Sequence, residues 1–161
     1  MRRKLGFSLL VLTLLLGLFG GTQFNAVHAR SSAEGSCTQV GGTFLINFVD
    51  QTTAIAALTG DLQGAVRGVI VKSAAGDKGV LNLSLEHAIT TSSGDSIRTA
   101  DQAVLTPVQD KTYFMSQTQT IMSGTGRFAN ATGTIKEFGA VDMATGQGVL
   151  RYSGQICTKA S

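Results

Sequence analysis

The residues able to do chemistry in this chain are few. Across 81–90, Leu81, Leu83, Leu85, His87 and Ile89 alternate with Asn82, Ser84 and Glu86. Successive side chains of a strand point to opposite faces, so His87 stands on an apolar face and Glu86 points away from it. The two therefore cannot form a general-base pair. A histidine so placed is ordinarily a core residue with one satisfied hydrogen bond; on a cavity wall it would bind a ligand. In the next segment Asp101 shares a face with Ile97, Thr99, Ala103 and Leu105. Burial would raise its pKa, the property of a group that does acid/base work, whereas a hydrogen-bonded Asp101 would be structural. Tyr113 and Tyr152 would either line a cavity or fill it. Glu86, Arg98 and Gln102 share a face across neighbouring segments and read as a surface ion pair.

The absences narrow the chemistry further. There is no Gly-x-Ser-x-Gly nucleophile elbow and no His-Glu-x-x-His helix. His28 is the only other histidine, and Cys37 and Cys157 are the only cysteines. Neither a His-rich metal site nor a zinc site of cysteines can be built, so no metal and no cofactor is expected.

These residues need elements to position them. From Thr43 onward the chain reads as short strands at near-regular spacing: 43–49, 54–58, 62–71, 80–90, 96–105, 112–122, 132–141 and 148–157. Turn residues separate them, with Pro107–Lys111 as one such turn, and no helical period appears. That pattern predicts an all-β sandwich or barrel. Several faces mix polar with apolar side chains, notably Tyr113, Met115, Gln117, Gln119 and Ile121. A partly polar lumen, a buried outer face or loose patterning would each give that mixture. Between the sixth and seventh strands, Ser123 to Ile135 places Gly124, Gly126 and Gly133 around Phe128. Glycine can reverse or bend the chain there, leaving Phe128 as a plug for the end of the core. A phosphate-cradling loop is ruled out, because no Gly-Lys-Ser/Thr and no helix follow.

The ends set the compartment. Met1–Lys4 is basic, Leu5 to Gly20 is an apolar run rich in leucine, and Val27-His28-Ala29 has the small-x-small pattern of a signal peptidase site. Residues 1–29 are read as a cleaved signal peptide, 30–41 as a tether and 42–161 as the folded domain. The competing anchor reading is weaker, since Leu9–Phe19 is short against the roughly 20 residues a span needs. The whole chain has 13 Lys+Arg against 10 Asp+Glu, but Arg2, Arg3 and Lys4 lie in the leader, and what remains is balanced. A nucleic-acid partner, or a membrane partner after cleavage, loses its support. Cys37 and Cys157, an even pair in an exported chain, are expected to form one disulfide. Closing nearly the whole domain, it would contribute about 4–5 kcal/mol in the chain-entropy account.

Ser123-Gly124-Thr125-Gly126-Arg127-Phe128-Ala129-Asn130-Ala131-Thr132-Gly133 resembles the glycine-rich signature of allene oxide cyclase and dirigent barrels. Gly60-Asp61-Leu62 and the run Thr99–Pro107 look like bacterial exported members of that superfamily. The resemblance covers roughly residues 42–157. It implies an eight-stranded antiparallel barrel around an elongated apolar cavity, often trimeric in plant relatives. It also implies a small hydrophobic or phenolic ligand, with Tyr113, Tyr152, His87 and Phe128 as candidate contacts. Allene oxide cyclases use a carboxylate and an asparagine; Asn47 matches the asparagine, but Leu45 stands where the glutamate would align. Dirigent proteins use buried carboxylates, a place that Asp101 would take. The expectation is a binding barrel without catalysis. The alternatives are an isomerase or dirigent-type guide using Asp101 and Asn47, and a barrel packed solid for a structural role.

Overall fold

The computed structural model describes residues 35–158. The proposed signal peptide lies outside them. Eight strands follow one another: β1 (Ser36–Phe48), β2 (Thr53–Gly60), β3 (Gly64–Ala75), β4 (Leu81–Thr91), β5 (Ser96–Gln109), β6 (Thr112–Gly124), β7 (Thr132–Asp142) and β8 (Gln147–Thr158). Each pairs antiparallel with the next, and β8 returns to β1, closing a barrel that leaves no strand edge unpaired.

Alternation explains the closure. On β5, Ile97, Thr99, Asp101, Ala103 and Leu105 are buried while Arg98, Ala100, Gln102, Val104 and Thr106 are exposed. The same two-residue period turns Met115, Gln117, Gln119 and Ile121 of β6 inward, and Leu150, Tyr152 and Ile156 of β8. A sheet with one apolar face buries it by curling on itself. The core includes Phe44, Ile89, Ile97, Leu105, Ile135, Val141 and Leu150. The disulfide forms as expected, between Cys37 and Cys157 directly opposite each other on β1 and β8.

Several boundaries differ from the sequence expectation, β3 for one running on to Ala75, and two have a clear physical reason. β1 begins at Ser36 rather than Thr43, so residues 36–41 of the expected tether pair with β8. Gly41-Gly42 hides this strand from a propensity reading, yet glycine is required there. A Cβ on Gly42 would collide with the Thr59 carbonyl and the Tyr152 ring. Pro107 lies inside β5, opposite Tyr113 and beside a register shift, rather than in the turn. Bulges are a place where a residue without an N–H fits a ladder; the reversal falls at Asp110, with φ 46°.

The hairpin turns sort to two ends. One end carries the β1–β2 turn, where the Asp50 carboxylate accepts the N–H groups of Thr52 (2.8 Å) and Thr53 (2.7 Å). The other end carries the glycine-rich corner, where Gly126–Phe128 forms a short 3₁₀ turn. There Phe128 is buried, with the Arg127 guanidinium 4.7 Å over its ring.

Candidate ligand site in the barrel lumen

The inward residues of β4 to β7 are not uniformly apolar. Midway along the barrel, His87 (β4), Thr99 and Asp101 (β5), Gln117 and Gln119 (β6) and Glu137 (β7) form a polar layer. Register places them side by side: His87 opposite Thr99, Asp101 opposite Gln119, Gln117 opposite Glu137. Asp101 is 1% exposed, Gln119 0% and Glu137 3%.

Asp101 and His87 bond directly through Oδ2 and Nδ1. Gln117 donates its side-chain amide to the same carboxylate oxygen at 3.3 Å, and the Gln119 amide lies 3.3 Å from His87 Nδ1. With Nδ1 engaged by Asp101, Nε2 is the ring nitrogen left for other contacts. That side of the ring lies over Gly68, where any Cβ would crowd it. Glycine at 68 is thus what lets the imidazole approach β3 so closely.

Glu137 is a different case. Its carboxyl is pushed up to about 8, first by burial and then by the neighbouring Asp101 charge. At neutral pH it is mainly protonated, because a carboxylate away from water loses more solvation than any partner here restores. Among the described residues, five buried side-chain atoms have no hydrogen-bond partner: Thr99 Oγ1, Asp101 Oδ1, Gln117 Oε1, Gln119 Oε1 and Glu137 Oε1.

An apolar cleft reaches this layer. It runs from the end carrying Phe48 and Thr52, between Ile46, Ala54, Ala56, Val66, Ile70, Leu85, Met115 and Leu150, to His87, Gln117 and Glu137. Its free volume is about 30 Å3, room for about one or two waters rather than the several hundred Å3 of a typical ligand pocket.

Of the residues singled out from the sequence, His87 lines the cleft and Asp101 holds it from behind. The others are elsewhere. Asn47 is exposed on the outer face, since Phe44, Ile46 and Phe48 take the inward positions of β1. It cannot join Asp101, and the cyclase-like pairing of the two is not formed. Tyr152 is buried, with its ring edge-on to Phe44 at 5.3 Å. Its hydroxyl is spent on Leu62, accepting from the N–H at 3.0 Å and donating to the carbonyl at 3.3 Å. Burial raises its pKa. Phe128 sits at the opposite end of the barrel, and Tyr113 is half-buried outside the cleft. Among the described residues the ion pairs are His87–Asp101 and Arg127–Asp95; Glu86 makes none, and Gln102 pairs instead with Ser84.

Glu137 is the buried carboxyl of the polar layer that sequence reading missed. In Ile135-Lys136-Glu137-Phe138 each face carries one apolar and one charged residue, so alternation alone does not choose. The usable signal was the pairing of β7 with β6, which sets Glu137 beside the inward Gln117.

No family model matches the chain, and no curated protein matches it. Among solved structures, a pterocarpan synthase dirigent protein aligns over 80% of this chain and 93% of its own length, with 14% identity and a TM-score of 0.34. At that identity and score the likeness supports nothing about the site.

Proposed function

We propose that this chain is an exported barrel that binds, without transforming, a small molecule with an apolar body and a hydrogen-bonding head, its head against the polar layer. The observation that carries this reading is the pair of unpartnered buried acceptors, Gln117 Oε1 and Glu137 Oε1, at the inner end of an apolar cleft. Each such atom costs about 1–3 kcal/mol if nothing satisfies it. A ligand head, or the water it displaces, would satisfy both at once. The narrowness of the cleft means that Phe48 and Ile70, both half-buried near the mouth, must swing aside for a ligand. Export is supported by the disulfide, a bond of oxidising compartments.

The test is native mass spectrometry of protein purified from its own host, under gentle and then denaturing conditions. A small molecule that leaves on denaturation is the expected result. Protein that stays empty after soaking with fatty acids and phenolics would instead favour a barrel packed for a structural role. The same mass reads self-association, for which the in-register outer row Ala57, Leu45, Val149, Ala140 and Phe114 offers an apolar wall.

A second reading, an isomerase, is favoured by one feature: the Asp101-oriented imidazole and the protonated Glu137 flank a single cleft, as a base and an acid would. Uptake of solvent deuterium into a bound ligand, lost in His87→Gln, would support it over simple binding.

A further inference from the structure

The charged groups of the lumen do not balance. Two carboxyls, Asp101 and Glu137, face inward with one imidazole, His87, between β3 and β5. The cations on the strands around them all point outward: Arg67 on β3, Arg98 on β5, Lys136 on β7 and Arg151 on β8 are exposed. Around Glu137 the neighbours are Gln117 from β6 and Tyr152 from β8, with Asp101 and His87 beyond Gln117. None of these supplies a lasting positive charge to Glu137.

The unpartnered atoms point the same way. Gln117 Oε1 and Glu137 Oε1 belong to residues that line the cleft and are 2% and 3% exposed, and Asp101 Oδ1 lies behind them. All three are acceptors. Gln117 spends one of its two amide N–H groups on Asp101, and its carbonyl oxygen has no partner. A head that brings several N–H donors and a positive charge meets both needs, whereas a carboxylate brings no donor and sets its negative charge near Asp101.

We infer that the lumen site selects an organic cation, a primary amine on an apolar tail, with its ammonium seated between Gln117 Oε1 and the Glu137 carboxyl. This deepens the proposed binding function and rests on it. The binding step balances simply: the ammonium enters as R–NH3+, Glu137 gives up its proton to solvent, and the resulting carboxylate pairs with the ligand. Glu137 is mainly protonated at neutral pH, so the exchange is of one proton for one cation. Above about pH 8 Glu137 is already ionised and the release fades.

The experiment is isothermal titration of the purified, disulfide-bonded protein with n-hexylamine, n-hexanol and hexanoate, which share a tail and differ in the head. Benzylamine and p-cresol form a second, aromatic pair. Measuring at pH 7 in buffers of different ionisation enthalpy counts protons. The amines are expected to bind at least about tenfold more tightly than their neutral partners, a difference of about 1.4 kcal/mol, with close to one proton released. Glu137→Gln, which keeps shape and hydrogen-bonding capacity, is expected to remain folded by thermal melt and to lose both the preference and the release. If hexanol, p-cresol or hexanoate binds as well as its amine, or amine binding releases no proton, the cation inference is overturned while the binding barrel stands. Failure of all five compounds to bind overturns both.

Discussion

The two sides of the lumen are built by different rules. The wall from β1 to β3, with β8, turns Phe44, Ile46, Ala56, Val66, Ile70 and Leu150 inward, all apolar side chains held by contact alone. The wall from β4 to β7 interrupts its apolar residues at one level with His87, Thr99, Asp101, Gln117, Gln119 and Glu137. Apart from the Tyr152 hydroxyl, which bonds to Leu62, the apolar side needs only volume. The polar side needs partners, and it leaves some of its acceptors without any. A barrel made for stability alone would gain by filling that layer with leucine. The proposed binding site draws its polar groups from the β4–β7 side.

Breaking the pairing on the polar side is expected to have the largest effect. Asp101→Ala strips His87 and Gln117 of their shared acceptor and should cost about 4 kcal/mol, the scale for removing one partner of a buried pair. The matched change on the apolar side, Leu150→Ala at a fully buried position, should cost about 3 kcal/mol through lost contact and a cavity. Urea unfolding of the two variants gives the comparison directly. A loss near zero for Asp101→Ala would mean that the polar layer is not a paired network.

The pH dependence sharpens the contrast further. Glu137 is raised from 4.5 to about 8 in the folded protein. Between those values the folded state holds a proton that the unfolded state has released, so stability should fall as pH rises. The slope is roughly 1.4 kcal/mol per pH unit at most, levelling off above the folded pKa. Below 4.5 both states are protonated and this contribution disappears. Glu137→Gln should flatten the slope, and Leu150→Ala should leave it unchanged; urea midpoints from pH 4 to pH 9 test both.

Where the two sides touch, the effect is smallest. Gly68 on the apolar wall makes room for His87, and Gly68→Ala should push the imidazole off its seat at a cost of about 1 kcal/mol. Histidine ring resonances should shift while the core methyl resonances stay in place. A spectrum indistinguishable from the parent would show that the imidazole does not rest on β3.

Much of this was legible in the sequence. Alternation along 81–90, 96–105 and 112–122 assigned His87, Asp101, Gln117 and Gln119 to one set of faces, because a half-buried strand writes its burial as a period of two. Asn47 went astray because it came from a motif match, while its own neighbours Phe44, Ile46 and Phe48 already claimed the inward face. Tyr152 fills the core and Phe128 plugs its end, as the residues themselves allowed, but their expected ligand contacts came from the resemblance, and what an aromatic contacts depends on its height in the barrel, which no local pattern encodes.

By itself the sequence determined eight strands, most of their turns and inward faces and the Cys37–Cys157 pairing, since each depends on local periodicity or on counting. The tertiary structure alone decided the strand register. Register aligned Asp101 with His87, set Glu137 beside Gln117 away from water, and passed the cleft between them, because proximity and desolvation belong to neighbours brought together across the sheet.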